Sequence, residues 1–331
     1  MVGKKNREPL LSIIILAYKS DEYIYETIDS ILEQSYSNIE VIVAEDGSKE
    51  FDCEKVGRYF SEHLRSNIVR YAIYCNQTNM GTVKNINQAI GKAQGEYIKF
   101  IAGDDKLVDT QSCSNQISYL QNHSIEQLVV GDVAECTSEM VVVDTVGFRP
   151  CNAENLLEKK NKIKLLRYIC RNNPALLATQ ACCFRKEFFA LNGLFDERFL
   201  LIEDLPMMVK IINQGISFGY LPGVCVAHRG GGGLSTSNNP FDVKCNAYYN
   251  DLWKYYKLIL MPLRKAIGII YVSQRYRLCE FRLKYCHTKL ENNSYISKVI
   301  LVLKYLPAII YYMITQVDRV WFYSKGQRTK V

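Results

Sequence analysis

Four places in this chain concentrate side chains that could do chemistry. Glu45-Asp46 and Asp104-Asp105 each follow directly on an apolar run. Glu203-Asp204 opens a helical pattern, and His228 stands just ahead of four consecutive glycines, Gly230 to Gly233. Carboxylates gathered at one spot repel each other unless a cation or a charged substrate joins them, so a purely structural protein gains nothing from bringing them together. A neutral imidazole beside such a set could ligate the cation or donate to a phosphate. Each group also has an ordinary explanation. Asp in Asp-Gly-Ser favours a turn, carboxylates at a helix start suit the helix dipole, and a lone histidine is commonly structural.

What decides between these readings is whether the fold places the groups together. Leu10–Leu16 is an isoleucine-rich run of the kind a strand covered on both faces requires. Ile24, Ile28, Ile31 and Leu32 then recur at helical spacing, with Asp21 as the expected N-cap. Glu40–Ala44, Ile68–Cys75 and Glu96–Ala102 read as further strands, with a helix over Val83–Ala93. Strand and helix alternate, which means βαβ units and a mostly parallel sheet. In such sheets ligands bind beyond the carboxyl ends of the strands. Tyr18-Lys19, Glu45-Asp46 and Asp104-Asp105 all stand at such ends. Farther along, Gln127–Val133 and Gln180–Phe184 read as strands, with a basic helix near Lys159–Arg171 between them. A helix begins at Glu203-Asp204 and runs to Gln214, closed by Gly215. Two short strands, Ile216–Leu221 and Val224–His228, precede the glycine run, and from about Tyr248 the pattern is helical.

Six segments in order, SIIILAYKSDEYIYETIDSIL, VIVAEDGS, NMGTVKNINQAI, GEYIKFIAGDD, GLFDERFLLIED and AHRGGGG, resemble the family 2 glycosyltransferases with a GT-A fold over roughly Leu10–Ser235. The resemblance implies an α/β, Rossmann-like, mostly parallel central sheet flanked by helices, followed by a C-terminal helical extension. It also implies an inverting, metal-dependent transfer from a nucleotide-diphosphate sugar, with UDP-linked donors expected. By that resemblance Ala17 and Tyr18 line the base pocket, Asp46 binds base or ribose, and Glu45 stands where the family often has a first Asp. Asn79 and Gly81 approach the donor, and Asn87 matches an Asn of the following helix. Ile86 replaces the Arg expected before it, so Lys84, one turn back, is the substitute cation. Asp104 and Asp105 match the later part of a metal-binding D-x-D-D pattern whose first position is Ala102 here. A diphosphate brings several oxygens of its own to Mg²⁺ or Mn²⁺, so Asp104 becomes the main metal ligand, with Asp105 and His228 beside it. Asp204 is the expected general base and Glu203 its reserve. The glycine run reads either as a loop that closes over the donor or as a linker into the tail.

The chain carries a formal net charge of +7, unevenly distributed. Residues 241–331 hold 16 Lys/Arg against 5 Asp/Glu, and the preceding residues 25 against 29. The expected domains are therefore 1–240, catalytic, and 241–331, a basic, tyrosine-rich helical region. Within it residues 299–317 are apolar apart from Lys304, with Pro307 near the middle. This segment could pack on the core, lie on a membrane or span one. A peripheral position on the inner face of the cytoplasmic membrane, near a saccharide or lipid-linked acceptor of surface polysaccharide assembly, is the expectation. No nucleic-acid motif accompanies the basic charge, so no nucleic-acid partner is expected. A nucleotidyltransferase would show a glycine-rich basic loop after the first strand, which LAYKSDEY lacks. A non-catalytic relic of the fold would have little use for Asp104, Asp204 and His228. The N-terminus is polar with no signal peptide pattern. The twelve cysteines are scattered without C-x-x-C spacing, so reduced thiols and no zinc site are expected.

Overall fold

A computed structural model of the chain describes residues 8–147, 161–172, 178–230, 245–290 and 295–326. The chain divides into two compact units, Met1–Gly232 and Gly233–Val331.

The first unit is built on a nine-stranded sheet. Strands β1 (Leu11–Ala17), β2 (Ile39–Glu45), β3 (Ile68–Cys75) and β4 (Tyr97–Ala102) alternate with helices α1 (Ile24–Leu32), α2 (Cys53–His63) and α3 (Thr82–Lys92). These four strands run parallel in the order β3-β2-β1-β4. Every residue of β2 and all but one of β1 are buried, which is why both read as largely apolar runs, interrupted by Ser12 in β1 and Glu40 in β2. The chain then continues through β5 (Lys106–Leu107), α4 (Ser112–Asn122), β6 (Leu128–Cys136), β7 (Val142–Val146), α5 (Lys162–Asn172), β8 (Cys182–Arg185), α6 (Lys186–Asn192), α7 (Asp204–Gln214) and β9 (Phe218–Arg229). The sheet extends from β4 through β8, β6 and β9 to β5, with β7 pairing antiparallel to the later part of β6. Strand β8 is antiparallel to β4, while β6 and β9 pair in parallel.

Three local expectations are corrected. Tyr23, not Asp21, occupies the N-cap of α1, without a side-chain cap bond. The two short strands expected at 216–228 are one strand, β9. Gly223 sits at φ +126°, and the pairing with β6 shifts register beside Asp132, so Pro222-Gly223 makes a bulge within the strand rather than a break. The cysteines are not all free: Cys53 at the start of α2 and Cys75 at the end of β3 form a disulfide, with Cα atoms 7.1 Å apart. The other nine described cysteines are buried thiols. The glycine run from Gly231 onward lies outside the described residues.

The second unit is helical. It comprises α8 (Asn246–Lys254), a π-helical segment (Tyr255–Leu260), α9 (Arg264–Ile267), α10 (Ile269–Leu290) and α11 (Tyr295–Gly326). A small core of Leu278 and Phe281 from α10 against Tyr305 and Ala308 from α11 holds the two long helices together.

Candidate functional site

Strands β1 and β2 end level, with Ala17 opposite Glu45. Beyond them the acidic pair is used first to build the turn. The Glu45 carboxylate accepts from the backbone of Gly47 and Ser48 at 2.9 and 2.7 Å. Asp46 accepts from the Met80 and Gly81 amides, both at 2.9 Å, and from Asn76 Nδ2 at 3.1 Å. Both acids are almost fully buried. Gly47 is required here: its φ is +76°, and a Cβ would lie 2.5 Å from the Thr78 carbonyl carbon. Ala17 is buried, whereas the Tyr18 ring is 45% exposed, with the Lys19 ammonium 5.2 Å from its centroid. The corner thus offers an open aromatic face and a cation above a rigid acidic turn.

Asp46 fixes the segment that carries Asn79 and Gly81. Asn79 Oδ1 accepts from the Gly81 amide at 2.9 Å, and Gly81 has φ +88°. A Cβ at Gly81 would meet the Leu200 side chain at 2.3 Å and its carbonyl oxygen at 2.6 Å. The Val83 amide donates to that same carbonyl. The 79–83 segment is therefore seated against the loop leading to Glu203-Asp204. Lys84 is exposed and Ile86 is wholly buried. Asn87 commits its amide to the same neighbourhood, donating to Phe195 O at 3.0 Å and Glu197 Oε1 at 3.1 Å and accepting from the Phe195 amide at 3.0 Å. Its work in the fold is to staple α3 to the loop before α7.

Past β4, Asp104 is half-buried and Asp105 fully buried. Asp105 accepts from His228 Nδ1 at 3.1 Å and from the Arg229 amide at 2.9 Å. It stands behind the histidine and is closed to solvent. That hydrogen bond, outweighing the opposing effect of burial, pushes the His228 imidazole up to about 9. Burial and the Asp105 charge push the Asp104 carboxyl above its ordinary range. A cation or a positively charged ligand would relieve this.

Glu203 and Asp204 are half-buried at the start of α7. Burial, then the neighbouring Asp204 charge, raises Glu203 to about 8. Burial raises Asp204 to about 6, against hydrogen bonds from the Leu205 amide and its own backbone. The Cys182 thiol, raised mainly by its own burial, also feels the Asp204 charge. Cys182 begins β8, which runs antiparallel to β4, so this end of β8 lies beside the carboxyl end of β4. The turn after β2, the Asp104 loop and the Glu203-Asp204 pair thus lie at the same end of the sheet, beyond the carboxyl ends of β2 and β4. Among the described residues no three His, Cys, Asp or Glu side chains form a group able to hold a metal unaided.

Sequence reasoning missed Arg229. Its side chain is 6% exposed and donates to the Asp104 carbonyl at 2.9 Å, to the Ser138 carbonyl, and to Glu26 Oε2 at 3.0 Å. Its guanidinium also lies 4.1 Å from the Tyr23 ring centroid. An arginine between an expected site histidine and a glycine run was the available signal. Arg229→Met should destabilise the first unit by about 3 kcal/mol, because it strips a buried charge from several acceptors. Unchanged thermal unfolding of that variant would contradict this role.

A family model described as glycosyl transferase family 2 matches residues 12–186, from β1 to the start of α6. Glu203, Asp204 and His228 lie beyond it. Among curated proteins, one from Haemophilus influenzae named an uncharacterized glycosyltransferase is 33% identical over 132 residues, 40% of this chain and 50% of that protein. EpsJ of Bacillus subtilis, also named an uncharacterized glycosyltransferase, is 27% identical over 220 residues, 63% of this chain and 60% of that protein. The chain thus spans only about half to three fifths of their lengths. Among solved structures, S. aureus TarS 1-349 in complex with UDP-GlcNAc has a TM-score of 0.55 at 16% identity, covering 90% of this chain and 81% of that one. The mannosyltransferase PcManGT from Pyrobaculum calidifontis, in complex with GDP-Man and Mn²⁺, has a TM-score of 0.54 at 16% identity, covering 92% and 81%. At these identities the likeness is one of fold, the GT-A arrangement.

Proposed function

The chain belongs to glycosyl transferase family 2, and on that footing we propose that it moves a sugar, with inversion, from a nucleoside-diphosphate donor to an acceptor hydroxyl. The observation that carries this reading is the gathering of three acidic segments at the carboxyl ends of the parallel strands, with the Asp104, Glu203 and Asp204 carboxyls all raised above their ordinary range. The neighbours bound to UDP-GlcNAc and GDP-Man support the donor class, and UDP-linked sugars are the first candidates.

Tyr18 and the Asn79–Gly81 segment contact the donor, while Glu45 and Asp46 hold the backbone that faces it. Asp204 accepts the acceptor hydroxyl's proton as that oxygen attacks the anomeric carbon opposite the leaving group. The glycosidic bond to the diphosphate breaks, and its electron pair leaves with the nucleotide. Glu203, pressed against Asp204, keeps the pair's affinity for a proton high. His228, charged at neutral pH and set by Asp105, donates to a phosphate oxygen of the leaving group.

Mg²⁺ or Mn²⁺ fits this donor set: a half-buried Asp104 carboxylate with a raised pKa, completed by the donor's phosphate oxygens. His228, whose Nδ1 is held by Asp105, would add a ligand through Nε2 only in its neutral form. When bound, the cation supplies charge neutralisation on the departing nucleoside diphosphate. The acceptor is a saccharide or lipid-linked hydroxyl in surface polysaccharide assembly, at the inner face of the cytoplasmic membrane.

The test is thermal unfolding of the full chain against a panel of UDP-, GDP- and dTDP-sugars, with MnCl₂ or with EDTA. A donor at about 100 times its Kd stabilises the protein by about 2.7 kcal/mol, a readily measured shift. No stabilisation by any donor in Mn²⁺ would remove the reading.

A further inference from the structure

Helix α11 has two different sides. Leu301, Tyr305, Ala308 and Tyr312 face α10, whereas Val299, Ile300, Leu303, Leu306, Ile310 and Ile314 face outward. With 3.6 residues per turn these outward residues form one continuous apolar stripe. Leu303 is 62% exposed, Ile300 60% and Ile314 58%. The stretch Ile296–Thr315 is long and apolar enough to cross a bilayer, yet little of it is buried within the protein.

The side facing α10 argues against a crossing. Arg277 of α10 donates to the Lys304 carbonyl at 3.3 Å, and Lys284 donates to the Tyr305 hydroxyl at 3.0 Å. Arg275 and Arg282 lie 5.1 and 5.4 Å from the Tyr312 ring centroid. A crossing α11 that kept its partner would draw these cations into hydrocarbon, at a few kcal/mol each by insertion scales. One that abandoned its partner would lose the Leu278, Phe281, Tyr305 and Ala308 core.

We infer that α11 lies flat in one leaflet of an anionic bilayer, its outward stripe immersed and the α10 side toward water. This deepens, and rests on, the membrane-surface reading above. Charge selects the occupant: the region 241–331 carries 16 Lys/Arg against 5 Asp/Glu, and Lys298 and Lys304 lie on the same helix. Such a surface repels a second copy of itself and attracts anionic headgroups.

The experiment is flotation of the full chain with vesicles of phosphatidylcholine, alone or mixed with phosphatidylglycerol. The protein should float with the mixed vesicles at low salt, fall away as salt rises, and be stripped by alkaline carbonate. The double variant Leu303→Glu/Leu306→Glu should lose about tenfold or more in binding with an unchanged circular dichroism spectrum, since both positions are exposed. Lys298→Glu/Lys304→Glu should weaken binding to the anionic vesicles by about tenfold or more and leave phosphatidylcholine unaffected. No flotation at low salt overturns both the in-plane helix and the membrane reading. Flotation that survives carbonate overturns the in-plane geometry alone, in favour of a span. Dimerisation abolished by the Leu pair, without flotation, assigns the stripe to a second copy and overturns the inference. Donor binding in solution is independent of all three.

Discussion

Asp204→Asn is expected to lower turnover by about 10²–10⁴-fold, the usual cost of losing a general base, while donor affinity stays unchanged. The substitution keeps the shape and removes the proton acceptor. Because burial raises Asp204 to about 6 and its neighbour Glu203 to about 8, the wild-type rate should fall on the acid side at near-neutral pH, well above ordinary carboxylates. The sign follows from the need for an ionised base: as pH drops through the pair's titration, the fraction able to accept a proton falls. Stability runs the other way. A carboxyl raised in the folded state contributes stability that is fully present below the unfolded value, near pH 4, and is lost as pH rises through 6 to 8. Asp204→Asn removes one such carboxyl and unburdens Glu203, so it should be more stable than wild type at alkaline pH. A fully active Asp204→Asn beside an inactive Glu203→Gln would move the base to Glu203.

Asp104→Ala should abolish transfer and, more tellingly, erase the effect of Mn²⁺ on nucleotide binding. In wild type, titration of the nucleoside diphosphate that matches the preferred donor should show tighter binding with Mn²⁺ than with EDTA. In the variant the two titrations should coincide, because one or two carboxylates suffice beside the phosphate oxygens and Asp104 is the one open to them. Asp105 provides the control. Its carboxylate is spent on His228 and the Arg229 amide, so Asp105→Asn should leave the Mn²⁺ effect in place while lowering the imidazole's affinity for its proton. A Mn²⁺ effect that survives Asp104→Ala would place the cation elsewhere.

The parallel half of the sheet was legible because β1, β2 and β4 are buried on both faces and are therefore mostly apolar, with single polar residues such as Ser12, Glu40 and Lys99 among them. Helices α2 and α4 were not, since few of their residues are apolar and their contribution to the core is narrow: only Val56 and Phe60 are buried in α2. Strand β9 was split in two because Pro222-Gly223 looks like punctuation, and only the partner strand reveals a bulge. The acidic segments were legible, but not how much of each carboxylate the fold consumes. Glu45, Asp46, Asp105 and Asn87 each satisfy backbone or side-chain groups from distant segments, and no local pattern records such pairings. Asp104 and Asp204 make fewer bonds to other residues. In the tail the hydropathy of 299–317 was plain. Which side was covered depended on α10, whose arginines lie along it.

The claim of metal-assisted inverting transfer meets its most direct test in donor hydrolysis by the full chain. The donor that binds is incubated with Mn²⁺ and water as the only acceptor, and proton NMR follows nucleoside diphosphate release and the anomer of the first-formed sugar. The expected result is release that stops on chelation, giving a sugar whose anomeric configuration is opposite to the donor's. A first-formed sugar of retained configuration, or release indifferent to EDTA, would contradict it.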